Sequence, residues 1–183
     1  MRKFAKEILS EAKAGRYGVE QNKQRGSVEV WGSRIAKDAP VRSESTKRAS
    51  EIILHYHKEI DSPIKKLKTI RIGLLSSAIL HLMELTGSNQ AHVAHLLSVT
   101  EPTLRKYIKN GKHLDATKSE HIIELFELFD KGLDTFGSFE EFKKWIESPN
   151  IIFQDPPVKM LDTITGINMV KNALLRLDYG VLA

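Results

Sequence analysis

The chain has 183 residues, 41% of them hydrophobic and 28% charged, which suits one or two folded domains and excludes a collagen-like or wholly disordered polymer. It contains no cysteine, so composition alone removes disulfides, thiolate zinc sites and a cysteine nucleophile. The net charge of +5 is unevenly spread: residues 1–68 carry 16 Lys/Arg against 9 Asp/Glu, residues 69–118 carry 6 against 3, and residues 119–183 carry 6 against 11. The first two parts suit a polyanionic partner and the last is repelled by one.

No stretch reads as a membrane span. The most apolar run, Ile72 to Leu85, is interrupted by Ser76, Ser77, His81 and Glu84 and falls short of the roughly 20 residues a bilayer requires. Met1 to Gly15 lacks the apolar core of a signal peptide. The expectation is a soluble, cytoplasmic protein with no membrane partner.

From the N-terminus, Arg2 to Ala14 places Phe4, Ile8 and Leu9 at helical spacing, and Ser27 to Trp31 alternates Val28 and Val30 as a short strand would. Residues 44–60 read as a helix with Ile52, Ile53, Tyr56 and Ile60 on one side. Ser62-Pro63 supplies an N-cap and a first-turn proline for a second helix that turns Ile64, Leu67 and Ile70 inward. Ser76 caps a helix reaching about Leu85, and Thr86-Gly87 ends it. Ser88 caps the next, with Ala91, Val93, Ala94 and Leu97 inward. Thr100 caps a further helix whose apolar side is Leu104, Tyr107 and Ile108 and which Asn110-Gly111 closes.

Thr117-Lys-Ser-Glu120 reads as a capping box opening a helix with Ile122, Ile123, Leu125, Phe126 and Phe129 inside and Glu120, Glu124, Glu127, Lys131 and Asp134 outside. Ser138-Phe-Glu-Glu141 opens a short helix presenting Phe139, Phe142, Trp145 and Ile146. After Pro149-Asn150 and Pro156-Pro157 comes a helical turn around Met160-Leu161. The last helix runs from about Gly166 to Tyr179 on a seam of Ile167, Val170, Leu174 and Leu177, with Gly180 as its cap. The fold class is all-α, in three parts: a basic, partly helical N-terminal extension over 1–62, a helix-turn-helix domain over 63–116, and a small helical domain over 117–183.

Residues 90–109 have the spacing of a helix-turn-helix, with Ala94 small at the helix crossing and Ser98-Val99-Thr100 as the turn. With Leu104, Tyr107 and Ile108 inside, the second helix turns Arg105, Lys106 and Lys109 outward, with Thr100, Glu101 and Thr103 at its start. These supply cations for phosphates and short polar groups for base edges, so operator DNA is the expected partner of this face. A solvated basic face on a packing helix is the alternative reading.

Enzyme chemistry has no support in the sequence, and no catalytic residue, cofactor or metal is expected. His92 with His95 and His55 with His57 are the only close histidine pairs, and neither forms His-Glu-x-x-His. There is no glycine-rich phosphate loop and no Gly-x-Ser-x-Gly elbow. Glu140-Glu141 suits a helix N-terminus.

The run from Gly73 through Leu104, Asn110-Gly-Lys-His-Leu114 and Ser119-Glu120, then Trp145-Ile-Glu-Ser-Pro-Asn150, Pro157, Leu161-Asp-Thr163, Gly166 and Leu177-Asp-Tyr-Gly-Val-Leu-Ala183, resembles the Xre-like antitoxins with a C-terminal MbcA/ParS/Xre toxin-binding domain. The resemblance covers about 110 residues, and its C-terminal part is the more specific. It implies a type II toxin–antitoxin system in which the chain silences a RES-domain, NAD-degrading toxin and represses the shared operon, as a homodimer within the complex. It also implies that Arg176, Tyr179, Gly180, Val181, Leu182 and Ala183 lie over the toxin's active-site cleft. The apolar residues at 181–183 suit such a place, or fold back on their own helix. Glu101 departs from a simple basic footprint, so no operator sequence follows. Residues 1–62, outside the resemblance, are open between a DNA arm, a dimerisation element and a proteolysis-prone tail. The other function class compatible with the sequence is a stand-alone helix-turn-helix regulator with a self-associating or effector-binding C-terminal domain.

Overall fold

The longest helix carries apolar residues on nearly every side, and a helix of that kind has to sit inside. In the computed structural model, which describes residues 43–180, this helix is the hub. The described residues hold eight α-helices and one 3₁₀ turn: α1 (Glu44–Ile60), α2 (Pro63–Ile72), α3 (Ser77–Thr86), α4 (Gln90–Leu96), α5 (Glu101–Asn110), α6 (Ala116–Phe136), α7 (Phe139–Glu147), the turn Pro157–Met160, and α8 (Ile164–Asp178). The expected helix over 2–14 and strand over 27–31 lie outside the described residues, as do Val181, Leu182 and Ala183.

Helix α6 buries His121, Ile122, Ile123, Leu125, Phe126, Leu128, Phe129 and Gly132 and packs against α1, α2, α3, α7 and α8. Its start differs from the expected capping box. Asp115 is the N-cap, accepting from the Lys118 amide at 2.9 Å, and Thr117 lies within the helix. The outer face also differs. Glu124 and Glu127 are not a solvated stripe: Lys66 of α2 reaches them at 2.5 and 2.8 Å, and Lys171 of α8 reaches both at 2.7 Å. Burial pushes the Glu124 carboxyl up, but the two ammonium groups outweigh it and hold the pKa below the usual range. A neutral knot of four charges thus ties three helices together.

Helix α1, placed by sequence in the N-terminal extension, is a core element that buries Ala49, Ile52, Ile53 and Tyr56. Tyr56 stacks on Phe126 of α6 at a centroid distance of 4.2 Å. The sequence boundary at 62/63 falls between α1 and α2 and that at 116/117 one residue inside α6, and packing runs across both, because α6 needs a cover on every side. Helix α2 departs from its expected seam: Ser62 caps it as expected, but Ile64 and Leu67 are exposed and the helix buries no residue fully. It docks through Lys66 and Ile70 instead.

Helices α3, α4 and α5 form the helix-turn-helix unit, and backbone pairing closes it. The Leu114 amide donates to the Leu74 carbonyl at 2.8 Å and the Ser76 amide to that of Lys112 at 3.1 Å, around an antiparallel bridge between Leu75 and His113. Ser76 therefore contributes its backbone here rather than a side-chain cap to α3. Gly73 has φ +90°, and a Cβ there would run into the Leu114 carbonyl oxygen.

Helix α8 lies along α6 with Ile167, Val170 and Leu174 buried, while Leu177, last on the expected seam, is 39% exposed because the core ends beneath it. Thr163 caps the helix by accepting from the Gly166 amide at 3.1 Å. Gly166 sits against the Met160 carbonyl, where any Cβ would overlap the oxygen.

Gly166→Ala adds a residue that favours helices by about 1 kcal/mol, yet the expected outcome is a net loss of about 3 kcal/mol from the clash. Gly111→Ala, with positive φ but nothing near its Cβ, is expected to lose about 1 kcal/mol. Urea unfolding of the two variants beside the wild type checks the order.

Candidate functional site

The DNA-facing candidate is built on a turn with an unusual backbone. Asn89, rather than the expected Ser88, caps α4, accepting from the His92 amide at 2.9 Å. Val93, Ala94 and Leu96 of α4 are buried with Leu97 just beyond it, whereas Ala91 is exposed. Ser98 takes a left-handed conformation, φ +51°, at the place where glycine is usual in such turns. The Val99 amide then donates to the Ala94 carbonyl at 2.9 Å, which fixes the angle between the helices.

Thr100 caps α5, and Leu104, fully buried, pins it. Tyr107 and Ile108 are half-buried, and the Tyr107 hydroxyl donates to Asp115 at 3.2 Å, which ties α5 to the start of α6. Thr100, Thr103, Arg105, Lys106 and Lys109 are exposed, and Glu101 is half-buried. All six expected residues therefore share the outer side or the leading end of one short helix. Arg105 is engaged there: its Nη2 donates to Glu101 Oε2 at 2.8 Å. The Thr100 and Thr103 hydroxyls are 2.9 Å apart. The exposed residues Lys112, His92 and His95 extend the polar and basic surface beyond α5.

The second candidate is the side of α8 that faces away from α6. On a helical projection its exposed residues centre on Asn168, Asn172 and Tyr179, with Leu175 on one flank and Met169 and Arg176 on the other. Tyr179 is 80% exposed, and Met169 and Leu175 are also exposed. Gly180, with φ +64°, ends the helix, and its amide donates to the Leu177 carbonyl at 3.0 Å. Lys131 of α6 and Asp178 form an ion pair that holds the last turn of α8 to the core. Sequence reasoning placed Arg176, Tyr179 and Gly180 at this end but missed Met169 and Leu175. Both stand out only once the buried seam defines the opposite face.

Residues 131–180 match the family model for the antitoxin Xre/MbcA/ParS C-terminal toxin-binding domain. Over this segment the chain is similar to that antitoxin domain family. No curated protein matches the chain. The matched segment begins within the last turns of α6 and takes in α7, the 3₁₀ turn and α8, so the resemblance of Gly73 to Leu114 lies outside it.

The residues that made the domain recognisable build its frame. Trp145 packs among Phe136 and Phe142, at centroid distances of 5.6 and 6.3 Å. Asn150 folds the loop before the 3₁₀ turn, its side chain accepting from the Ile152 amide at 2.8 Å. Leu161 is buried and its carbonyl accepts from His121 Nε2 at 2.7 Å, while Thr163 and Gly166 make the start of α8. The signature thus specifies how α8 is held, and the outer face of α8 is exposed.

The matched segment is also clamped to α1. Glu140 accepts from the Ser43 hydroxyl at 2.5 Å, from that of Ser45, and from Thr46 Oγ1 at 2.8 Å, and Thr46 in turn accepts from the Phe139 amide at 3.0 Å. Hydrogen bonds from Ser43, Ser45, its own backbone and Thr46 hold the Glu140 carboxyl down at about 2, against an ordinary 4.5. Because folding lowers this pKa, the stability it confers is present above 4.5 and is lost as pH falls toward about 2. Thermal unfolding between pH 6 and pH 2 is expected to show a smaller acid loss of Tm in Glu140→Gln than in the wild type, from a lower starting Tm.

Proposed function

We propose that the chain is the antitoxin of a type II toxin–antitoxin pair, that its toxin is a RES-domain, NAD-degrading protein, and that it represses its own operon through the helix-turn-helix as a homodimer. The observation that carries the reading is the outer face of α8. Within a matched toxin-binding domain, a helix firmly seated by its inner seam leaves an 80% exposed tyrosine flanked by exposed Leu175 and Met169. Soluble domains seldom leave such side chains grouped without a partner, and tyrosine is favoured at the centres of protein interfaces. In this reading α8 lays Asn172, Leu175, Arg176 and Tyr179 on the toxin, and Gly180 directs Val181, Leu182 and Ala183 into its active-site cleft. Substrate is excluded by occupancy, with no chemistry from the antitoxin. Among the described residues no helix is long and apolar enough to cross a membrane.

For repression, α5 enters the major groove with Thr100, Glu101, Thr103 and Arg105 toward base edges, and Lys106 and Lys109 neutralise phosphates. The acidic C-terminal domain turns away from the duplex.

Two experiments test the halves separately. Tyr179→Ala combined with Leu175→Asp is expected to weaken toxin binding by about 2 kcal/mol or more and to restore growth arrest and NAD loss when co-expressed with the neighbouring toxin. Deletion of 181–183 is expected to leave binding measurable but to release NAD degradation. Full NAD protection by both variants refutes occlusion by α8. Lys106→Ala with Lys109→Ala is expected to leave toxin neutralisation intact and to flatten the salt dependence of operator binding by about two logarithmic units per decade of salt. Unchanged mobility shifts refute the DNA assignment.

A further inference from the structure

The leading turn of α5 joins the one acidic residue of the DNA-facing surface to its one arginine. Glu101 Oε2 accepts from Arg105 Nη2 at 2.8 Å across one helical turn, and the arginine side chain is 63% exposed. As a contribution to folding, an exposed pair at this spacing is small. Its effect on the guanidinium is larger. The planar group offers five N–H donors in a fixed fork, and one proton of Nη2 suffices for Glu101. The other Nη2 proton and one of the two Nη1 protons remain as a parallel pair of donors, already oriented by the carboxylate, on the outer side of the helix that enters the groove.

Charge acts in the same direction. Arg105 with its carboxylate is neutral, so its attraction to the uniform phosphate backbone is reduced, while its directed hydrogen bonds to uncharged acceptors persist. Lys106, Lys109 and Lys112 are exposed, and none of them pairs with a carboxylate among the described residues. The helix thus separates two tasks by residue type: point charges toward phosphates, and a pre-oriented neutralised fork toward a base edge.

We propose that Glu101 is a positioning residue that sets Arg105 to read a guanine through its O6 and N7 edge, so that the pair determines sequence preference at one G·C base pair. This rests on the reading of α5 as the DNA-contacting helix. It gives the acidic residue a defined role in selectivity, exerted through Arg105.

The test uses the full chain and a duplex recovered by selecting bound sites from a random DNA pool. Wild type, Glu101→Ala, Glu101→Gln, Arg105→Ala and the Lys106→Ala with Lys109→Ala double variant are compared on that duplex, on duplexes with each base pair substituted in turn, and on a random duplex, at several salt concentrations. Arg105→Ala is expected to lose about tenfold discrimination at one G·C pair. Glu101→Ala and Glu101→Gln are expected to lose discrimination at that same pair, to bind the random duplex about two- to fivefold more tightly, and to show a salt dependence steeper by about one unit. Circular dichroism shows whether the fold is kept, and Glu101→Gln keeps the shape of the side chain. Discrimination unchanged in both Glu101 variants, or lost at a different base pair, overturns the proposal while the DNA reading stands. Wild-type binding that is indifferent to sequence, with the lysine double variant no weaker, overturns both.

Discussion

Helix α6 has too much apolar surface to be covered from one side, and the rest of the molecule is the cover. Five helices, from both ends of the described chain, lie against it. Glu124 and Glu127, at the middle of its polar side, would be costly to leave half-buried and unpaired. Lys66 and Lys171 pair with them from α2 and α8, so the same ridge that resists burial becomes the place where two covering helices are registered. Such a knot adds little net stability compared with apolar packing, but it makes the wrong rotation of either helix expensive.

This arrangement sets the two candidate surfaces. The helix-turn-helix leans on α6 through α3, and the backbone pairing of Leu74 with Leu114 closes it as a unit. The matched segment holds α8 on α6 through the signature residues Leu161, Thr163 and Gly166. In each case one helix is fixed by its inner side and offered by its outer side, α5 with cations and hydroxyls, α8 with tyrosine, leucine and methionine.

The sequence disclosed the helices well because their ends carry local chemistry: Ser62, Thr100 and Ser138 act as caps, and Gly87 and Gly111 are left-handed stops, where expected. It disclosed less where two groups compete for a role. Asn89 caps instead of Ser88 and Asp115 instead of the Thr117 box, and neighbouring oxygen-bearing residues look alike until the backbone direction is known. Long-range placement was the least legible. That α1 belongs to the core, that Ile64 and Leu67 face outward, and that Glu124 and Glu127 are paired depend on which helix lies opposite. Of the candidate sites, the six residues of α5 share a surface because helical period places them so. Met169 and Leu175 were invisible, since an exposed apolar residue and a buried one are written with the same letters. The family signature was legible for a different reason: its glycine, threonine and asparagine meet steric and hydrogen-bonding demands that few other residues satisfy.

The clamp of Glu140 on Ser43, Ser45 and Thr46 brings the first described turn of the chain against the start of α7, ninety-odd residues later. With α1, α3 and α8 all leaning on α6, opening the bundle anywhere uncovers α6 everywhere, and small domains of this kind melt as a unit. The two candidate helices, α5 and α8, therefore share one lifetime. Any event that pries the bundle open withdraws both surfaces together, and anything that seals α8 onto α6 prolongs both.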